Sequence, residues 1–239
     1  MSLNSLQKKL TQSGSASGSA LELESAPLAS ASLSPLLSLS DGLAYRGSKV
    51  IELPEIAINR AEILGIWGDS GCGKSTMAAI LTGLMPLAAG KLECCRQLRQ
   101  VRGRPSPIQW VIQQPEQAFN PRLTLAQSLN ESWQGRDYAH LLPMLGVAES
   151  ELRRWLASRP GGLSGGELQR LNILRALVPE TRLLICDEIT AQLDMVSQQR
   201  LWQQLLQIAH DRQLTLLVIS HDKPLLGAVC DRVQPFKPA

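Results

Sequence analysis

Eight consecutive residues, Gly68-Asp69-Ser70-Gly71-Cys72-Gly73-Lys74-Ser75, constrain this chain more than any other stretch. They fit the pattern G-x-x-x-x-G-K-[ST]. The run before them, Glu62-Ile63-Leu64-Gly65-Ile66-Trp67, reads as a buried strand, and an apolar helix follows from near Lys74, which is the setting this pattern requires. Glycines let the backbone curl so that successive N–H groups converge, and the helix turns the positive end of its dipole to the same place. Such a cradle suits polyphosphate oxygens. Lys74 is placed to neutralise β and γ oxygens and to act in catalysis, while Ser75 offers a hydroxyl to Mg²⁺, a hard cation that prefers oxygen. Gly68, Asp69, Ser70, Gly71, Cys72, Gly73, Lys74, Ser75 and the neighbouring Thr76 are therefore the expected nucleotide-binding turn.

Strands of the same kind recur at residues 183–186 and 214–219, each short, apolar on both faces and followed by polar residues. Such strands belong in a parallel sheet covered by helices. Residues 115–180 read as mostly helical, with helices expected over 123–133, 138–145, 149–156 and 165–177, the last stopped by Pro179. Residues 1–40 are rich in Ser, Ala and Leu and broken by Gly14, Gly18, Pro27 and Pro35, so a flexible tail is expected there and a folded domain over 41–239. Ser, Gly and Glu interrupt every apolar stretch behind Lys8 and Lys9, and no export signal is expected.

Charge excludes more than it identifies. Lys and Arg number 24 against 21 for Asp and Glu, and a balance of +3 supports neither a nucleic-acid footprint nor a polybasic membrane anchor. No nucleic-acid partner is expected. The five cysteines, Cys72, Cys94, Cys95, Cys186 and Cys230, show neither a C-x-x-C pair nor zinc-ligand spacing, which fits a reducing cytosol. No apolar run reaches the ~20 residues of a membrane-spanning helix, so any membrane function requires partner subunits.

A second helix start completes the pattern. In Leu163-Ser164-Gly165-Gly166-Glu167-Leu168-Gln169-Arg170, Ser164 is a good N-cap residue and two glycines leave backbone N–H groups uncovered, so this end also suits a phosphate. With both turns in one chain, the sequence from about Leu36 to Arg232 resembles the ATP-binding-cassette (ABC) ATPases, and Ser164, Gly165, Gly166 and Glu167 match their signature. The resemblance implies an α/β fold: a P-loop NTPase parallel-sheet core with an antiparallel β subdomain and a helical signature subdomain. It implies head-to-tail pairing, so that the phosphate turn of one cassette and the signature helix of another close on one ATP.

The resemblance assigns further roles. Asp187, ending the run Leu183-Leu184-Ile185-Cys186, would hold Mg²⁺, and Glu188 would orient or deprotonate the attacking water. Gln113, two residues before Pro115, would reach the metal or the water, with Gln114 as its neighbour and competitor. His221 would contact the γ-phosphate, Asp194 would lie in the loop crossing the paired interface, and Tyr45 would stack on adenine. His140 and His210 stand beside no motif and are expected at the surface or in packing. Two positions depart from the family pattern: Ile189 stands where proline is common and Ala191 where serine is frequent. The chain also ends soon after Asp231-Arg232-Val233, so the closing strand and helix of the family are not expected.

The segment Pro115-Glu116-Gln117-Ala118-Phe119-Asn120-Pro121-Arg122 resembles the peptide and nickel importer group of cassettes. That implies an ATP-hydrolysing importer subunit at the cytoplasmic face of the inner membrane. Its expected partners are two membrane permease subunits, a second ABC ATPase and an extracytoplasmic solute-binding protein. Two other readings are a soluble ABC ATPase acting on DNA or ribosomes and a regulatory cassette that binds ATP without hydrolysing it. The first usually carries a coiled-coil insertion, zinc cysteines or a second cassette, none of which is in this sequence, and Glu188 with His221 argues against the second.

Overall fold

The computed structural model describes residues 34–237. In chain order its strands are β1 (Leu37–Arg46), β2 (Lys49–Glu52), β3 (Ile56–Ile58), β4 (Ile63–Trp67), β5 (Ala89–Cys94), β6 (Ile108–Val111), β7 (Leu183–Asp187), β8 (Thr215–Ser220) and β9 (Arg232–Pro235). Its α-helices are α1 (Lys74–Leu81), α2 (Leu125–Trp133), α3 (Glu149–Ala157), α4 (Gly165–Ala176), α5 (Met195–Arg212) and α6 (Lys223–Val229).

Strands β6, β7, β8, β4 and β9 lie in that order in a parallel sheet. Side chains of a strand alternate between faces, and here both faces are covered. Leu184 and Cys186 of β7 and Leu216 and Val218 of β8 join one core with α2, α3, α4 and α5. Leu183, Ile185, Leu217 and Ile219 join the other, with α1 and the second sheet. That second sheet is antiparallel: β1 pairs with β2, β3 and β5, and its register shifts between Ser40 and Leu43. The parallel core, antiparallel sheet and helical segment are those expected.

Local signals place the helix starts. Thr124 and Gln127 form a capping box ahead of α2, and the Asp194 carboxylate accepts from Val196 and Ser197 N–H ahead of α5. Helix α6 is capped by Asp222 and has Pro224 in its first turn. Trp133 and Trp155 are buried in the helical core, and the Trp133 indole donates to the Leu174 carbonyl. His210 is exposed, as is His140.

Three expectations are corrected. The tail expected over 1–40 lies, up to residue 33, outside the described residues, and Leu37 already begins β1. Residues 138–145 form two short 3-10 turns, Ala139–Leu141 and Pro143–Leu145, because Pro143 supplies no N–H to a continuous helix. A strand does follow Asp231: β9 pairs with β4, with Gly65 opposite Val233. A side chain at Gly65 would meet Cys230 Sγ at 2.9 Å, so glycine permits this close approach.

Candidate functional site

Strand β4 delivers the phosphate turn and α1 leaves it. Gly73 stands at the N-cap of α1 with φ 121°, a backbone region that L side chains rarely adopt, and an added Cβ would come within 2.6 Å of Ile51 Cγ2. Having no side chain, Gly73 cannot cap the helix, so the amides of the first turn stay available to an anion. Met77, Ala78, Ile80 and Leu81 lock the other side of α1 into the core between the sheets.

A cavity of about 220 Å³ opens over this turn, lined by Ser70, Gly71, Gly73, Lys74, Ser75, Thr76, Gln113, Asp187, Glu188 and Arg46. Lys74 is 5% exposed, and its ammonium donates to the carbonyls of Gly68 and Asp69, both at 2.7 Å. Gly68 and Asp69 thus hold the lysine rather than line the cavity, and Cys72 packs half-buried against the core.

Glu188 is where separate parts of the chain meet. Its carboxylate lies 3.8 Å from Lys74 Nζ, accepts from Gln113 Nε2 at 2.9 Å, and sits 3.1 Å from His221 Nδ1. The Glu188 backbone takes φ 48°, left-handed and uncommon for a residue with a side chain, and its N–H donates to the Ile219 carbonyl at 2.9 Å. That bond ties the end of β7 to β8, and His221 follows directly after β8. Gln113, carried just past β6, faces the cavity, while Gln114 is engaged by the Gln117 amide. Gln113 donates through Nε2, and its Oε1 has no partner among the described residues and could face a cation.

Asp187 is 4% exposed, and burial raises its carboxyl above the usual range, while the Ser75 hydroxyl and other neighbours draw it partly back. Ser75 hydroxyl, Asp187 carboxylate and Gln113 carbonyl form an all-oxygen donor set, and a carboxylate taken out of water gains from a nearby cation. These residues fit Mg²⁺.

The signature residues lie apart from this cavity. Ser164 and Glu167 form a capping box: Glu167 Oε2 accepts from the Ser164 N–H and hydroxyl, both at 2.8 Å. Its other oxygen accepts from Trp155 Nε1 at 3.0 Å and pairs with Arg154. These bonds, led by the Ser164 N–H, hold the Glu167 carboxyl down at about 2. Glu167 therefore builds the turn, and the glycine amides of Gly165 and Gly166 are what remains for a ligand. A separate hollow of about 310 Å³ joins Ser164, Gly166, Glu167 and Arg170 to Gln192, Leu193, Asp194 and Ser197. Tyr45 is 60% exposed and lies outside the phosphate cavity, whereas the adjacent Arg46 lines it. Arg46 had no motif to announce it, nor had Trp110, which sits beside Asp187.

Comparison with known proteins agrees with this geometry. Residues 53–191 match the ABC transporter family. The chain is 32% identical over 199 residues to the nickel import system ATP-binding protein NikE of Staphylococcus aureus, covering 79% of this chain and 80% of that one. It is 31% identical over 205 residues to the oligopeptide transport ATP-binding protein OppF of Salmonella typhimurium, covering 77% of this chain. The chain spans 59% of the length of OppF and of the Brucella abortus relatives it matches. The fold resembles the dimeric structure of MJ0796, a bacterial ABC transporter cassette, with TM-score 0.66 and 24% identity over 84% of this chain and 94% of that one. Among the described residues no helix is long and apolar enough to cross a membrane.

Proposed function

We propose that this chain, which belongs to the ABC transporter family, is the ATP-hydrolysing subunit of a bacterial importer of nickel, metal chelates or di- and oligopeptides. The observation that carries the hydrolytic part is the convergence on Glu188, at the edge of the phosphate cavity, of Lys74, Gln113 and His221 from three separate segments. NikE and OppF, named for nickel import and oligopeptide transport, support the cargo class.

In the mechanism, the amides of the phosphate turn and Lys74 hold the polyphosphate of ATP. Glu188 takes the proton of the attacking water as a general base. Lys74 lies 3.8 Å from one carboxylate oxygen, and Gln113 fixes the orientation of the second. His221 donates a hydrogen bond to charge growing on the transferred group. Ser75, Gln113 and Asp187 would hold Mg²⁺, which would supply positive charge against the phosphate oxygens.

The signature amides at Gly165 and Gly166 serve the nucleotide of a paired cassette, so one chain contributes two half-sites. ATP favours the closed pair because its γ-phosphate bridges them, and hydrolysis removes the bridge. A second ABC ATPase, two permease subunits and an extracytoplasmic binding protein complete the assembly, which holds this chain at the cytoplasmic face of the inner membrane. Nucleic acid has no part in it.

Affinity capture of the full chain from solubilised host membranes tests this reading. Two multispanning membrane proteins and a second cassette are expected in the complex, with phosphate release abolished by Lys74→Ala. Capture without membrane proteins, or phosphate release indifferent to that change, overturns it.

A further inference from the structure

Two cations line the phosphate cavity, and among the described residues one of them, Lys74, has an ionic partner. Lys74 is held by two carbonyls and shared with Glu188. Arg46 lines the same cavity, yet it takes part in none of the ion pairs among the described residues. The lining also carries the carboxyl groups of Asp187 and Glu188, and neither is paired with Arg46.

Position explains why Arg46 faces inward. It is the last residue of β1, paired with Lys49 across the hairpin that turns at Gly47. Neighbouring strand residues point to opposite faces, so Arg46 shares the face of Ala44 and Tyr45 takes the other. Ala44 is fully buried in the core that contains α1, the helix leaving the phosphate turn. Tyr45 and its cross-strand neighbour Val50 are exposed on the far side, at 60% and 50%. A guanidinium on the inward face, with no counter-ion and a long side chain, is suited to phosphate oxygens, which its planar fork can grip two at a time.

We propose that Arg46 is a further polyphosphate-binding residue, reaching the bound nucleotide from the antiparallel sheet. The inference rests on the nucleotide-binding reading above and deepens it: the grip on the polyphosphate is shared between the two sheets. Arg46 adds affinity for the phosphate chain and makes no contact with the base.

The test is calorimetric titration of the full chain with MgATP, MgADP and inorganic tripolyphosphate with Mg²⁺, for the unaltered chain, Arg46→Ala and Arg46→Lys. Arg46→Ala is expected to weaken MgATP and tripolyphosphate alike, by about 10- to 100-fold, the range for a lost charge-assisted hydrogen bond. Arg46→Lys, which keeps the charge and loses the fork, is expected to fall between. The exposed position of Arg46 leaves the fold intact, checked by an unchanged thermal midpoint. Loss of ATP affinity with unchanged tripolyphosphate affinity overturns the proposal by placing the guanidinium on the base, and unchanged affinity for both overturns it outright. If the unaltered chain takes up no MgATP, the nucleotide-site reading itself fails, which the parent titration reveals before any variant is compared.

Discussion

The phosphate turn and the signature turn are both glycine-containing starts of helices, and they differ in what covers them. At the first, Gly73 leaves the helix uncapped, and a lysine 5% exposed, two carboxylates and a glutamine crowd one cavity. At the second, Ser164 and Glu167 cap the helix from within, and only the amides of Gly165 and Gly166 are left over. The first is lined by two carboxylates, a glutamine and two cations; at the second the carboxylates of Glu167 and Asp194 are engaged in helix caps, and Arg170 is the cation of the lining. A helix start with chemistry around it acts, and a helix start that is merely well capped recognises. Under the proposed function the two are complementary halves rather than duplicates.

If that contrast holds, substitutions at the two turns separate binding from turnover. Lys74→Ala is expected to have the largest effect, weakening MgATP uptake by at least about 100-fold, because a buried charge is removed and Glu188 is left without its cation. Binding at parental strength would erase the distinction between the turns. Glu188→Gln comes next: phosphate release should fall by about 100- to 10,000-fold, the range of general-base catalysis, while MgATP still binds and holds the pair closed. Unchanged release in a single-turnover assay would place the base elsewhere.

Ser164→Ala sharpens the comparison from the other side. Removing the cap is expected to cost about 1 kcal/mol in denaturant unfolding and to lower turnover of the assembled pair, with MgATP uptake by the single chain unchanged. A matching loss of uptake in the single chain would mean that the signature turn serves its own nucleotide.

The smallest effect is a pH signature. Glu167 titrates at about 2 in the fold against an ordinary 4.5, so its stabilisation is complete above pH 4.5 and is lost as pH falls through the folded value. Glu167→Gln should flatten the fall in stability over that window, and an unchanged acid-unfolding profile would contradict the capping geometry.

What could be read from the sequence follows from contiguity. Strands β4, β7 and β8 announce themselves as short runs apolar on both faces, and the phosphate turn sits directly between β4 and α1. Strand β6, with Gln109 and Trp110 between Ile108 and Val111, and β9, with Arg232, Gln234 and Pro235, mix polar residues into edge positions and carry no such signal. The site shows the same divide. Individual candidates were legible through motif resemblance, but that Gln113, 75 residues from Glu188, donates to its carboxylate depends on β6 pairing with β7. Glu167 illustrates the reverse: its place in a motif suggests ligand contact, while the partners that occupy it, Arg154 and Trp155, arrive on α3 from outside the motif. Arg46 could be found only once the β1–β2 hairpin was placed over the phosphate turn.

The account stands on nucleotide uptake at the phosphate turn. Calorimetric titration of the purified full chain with MgATP, repeated on Lys74→Ala, addresses this most directly. One nucleotide per chain is predicted, with the heat lost in the variant. Saturable uptake of equal strength in both chains would contradict it.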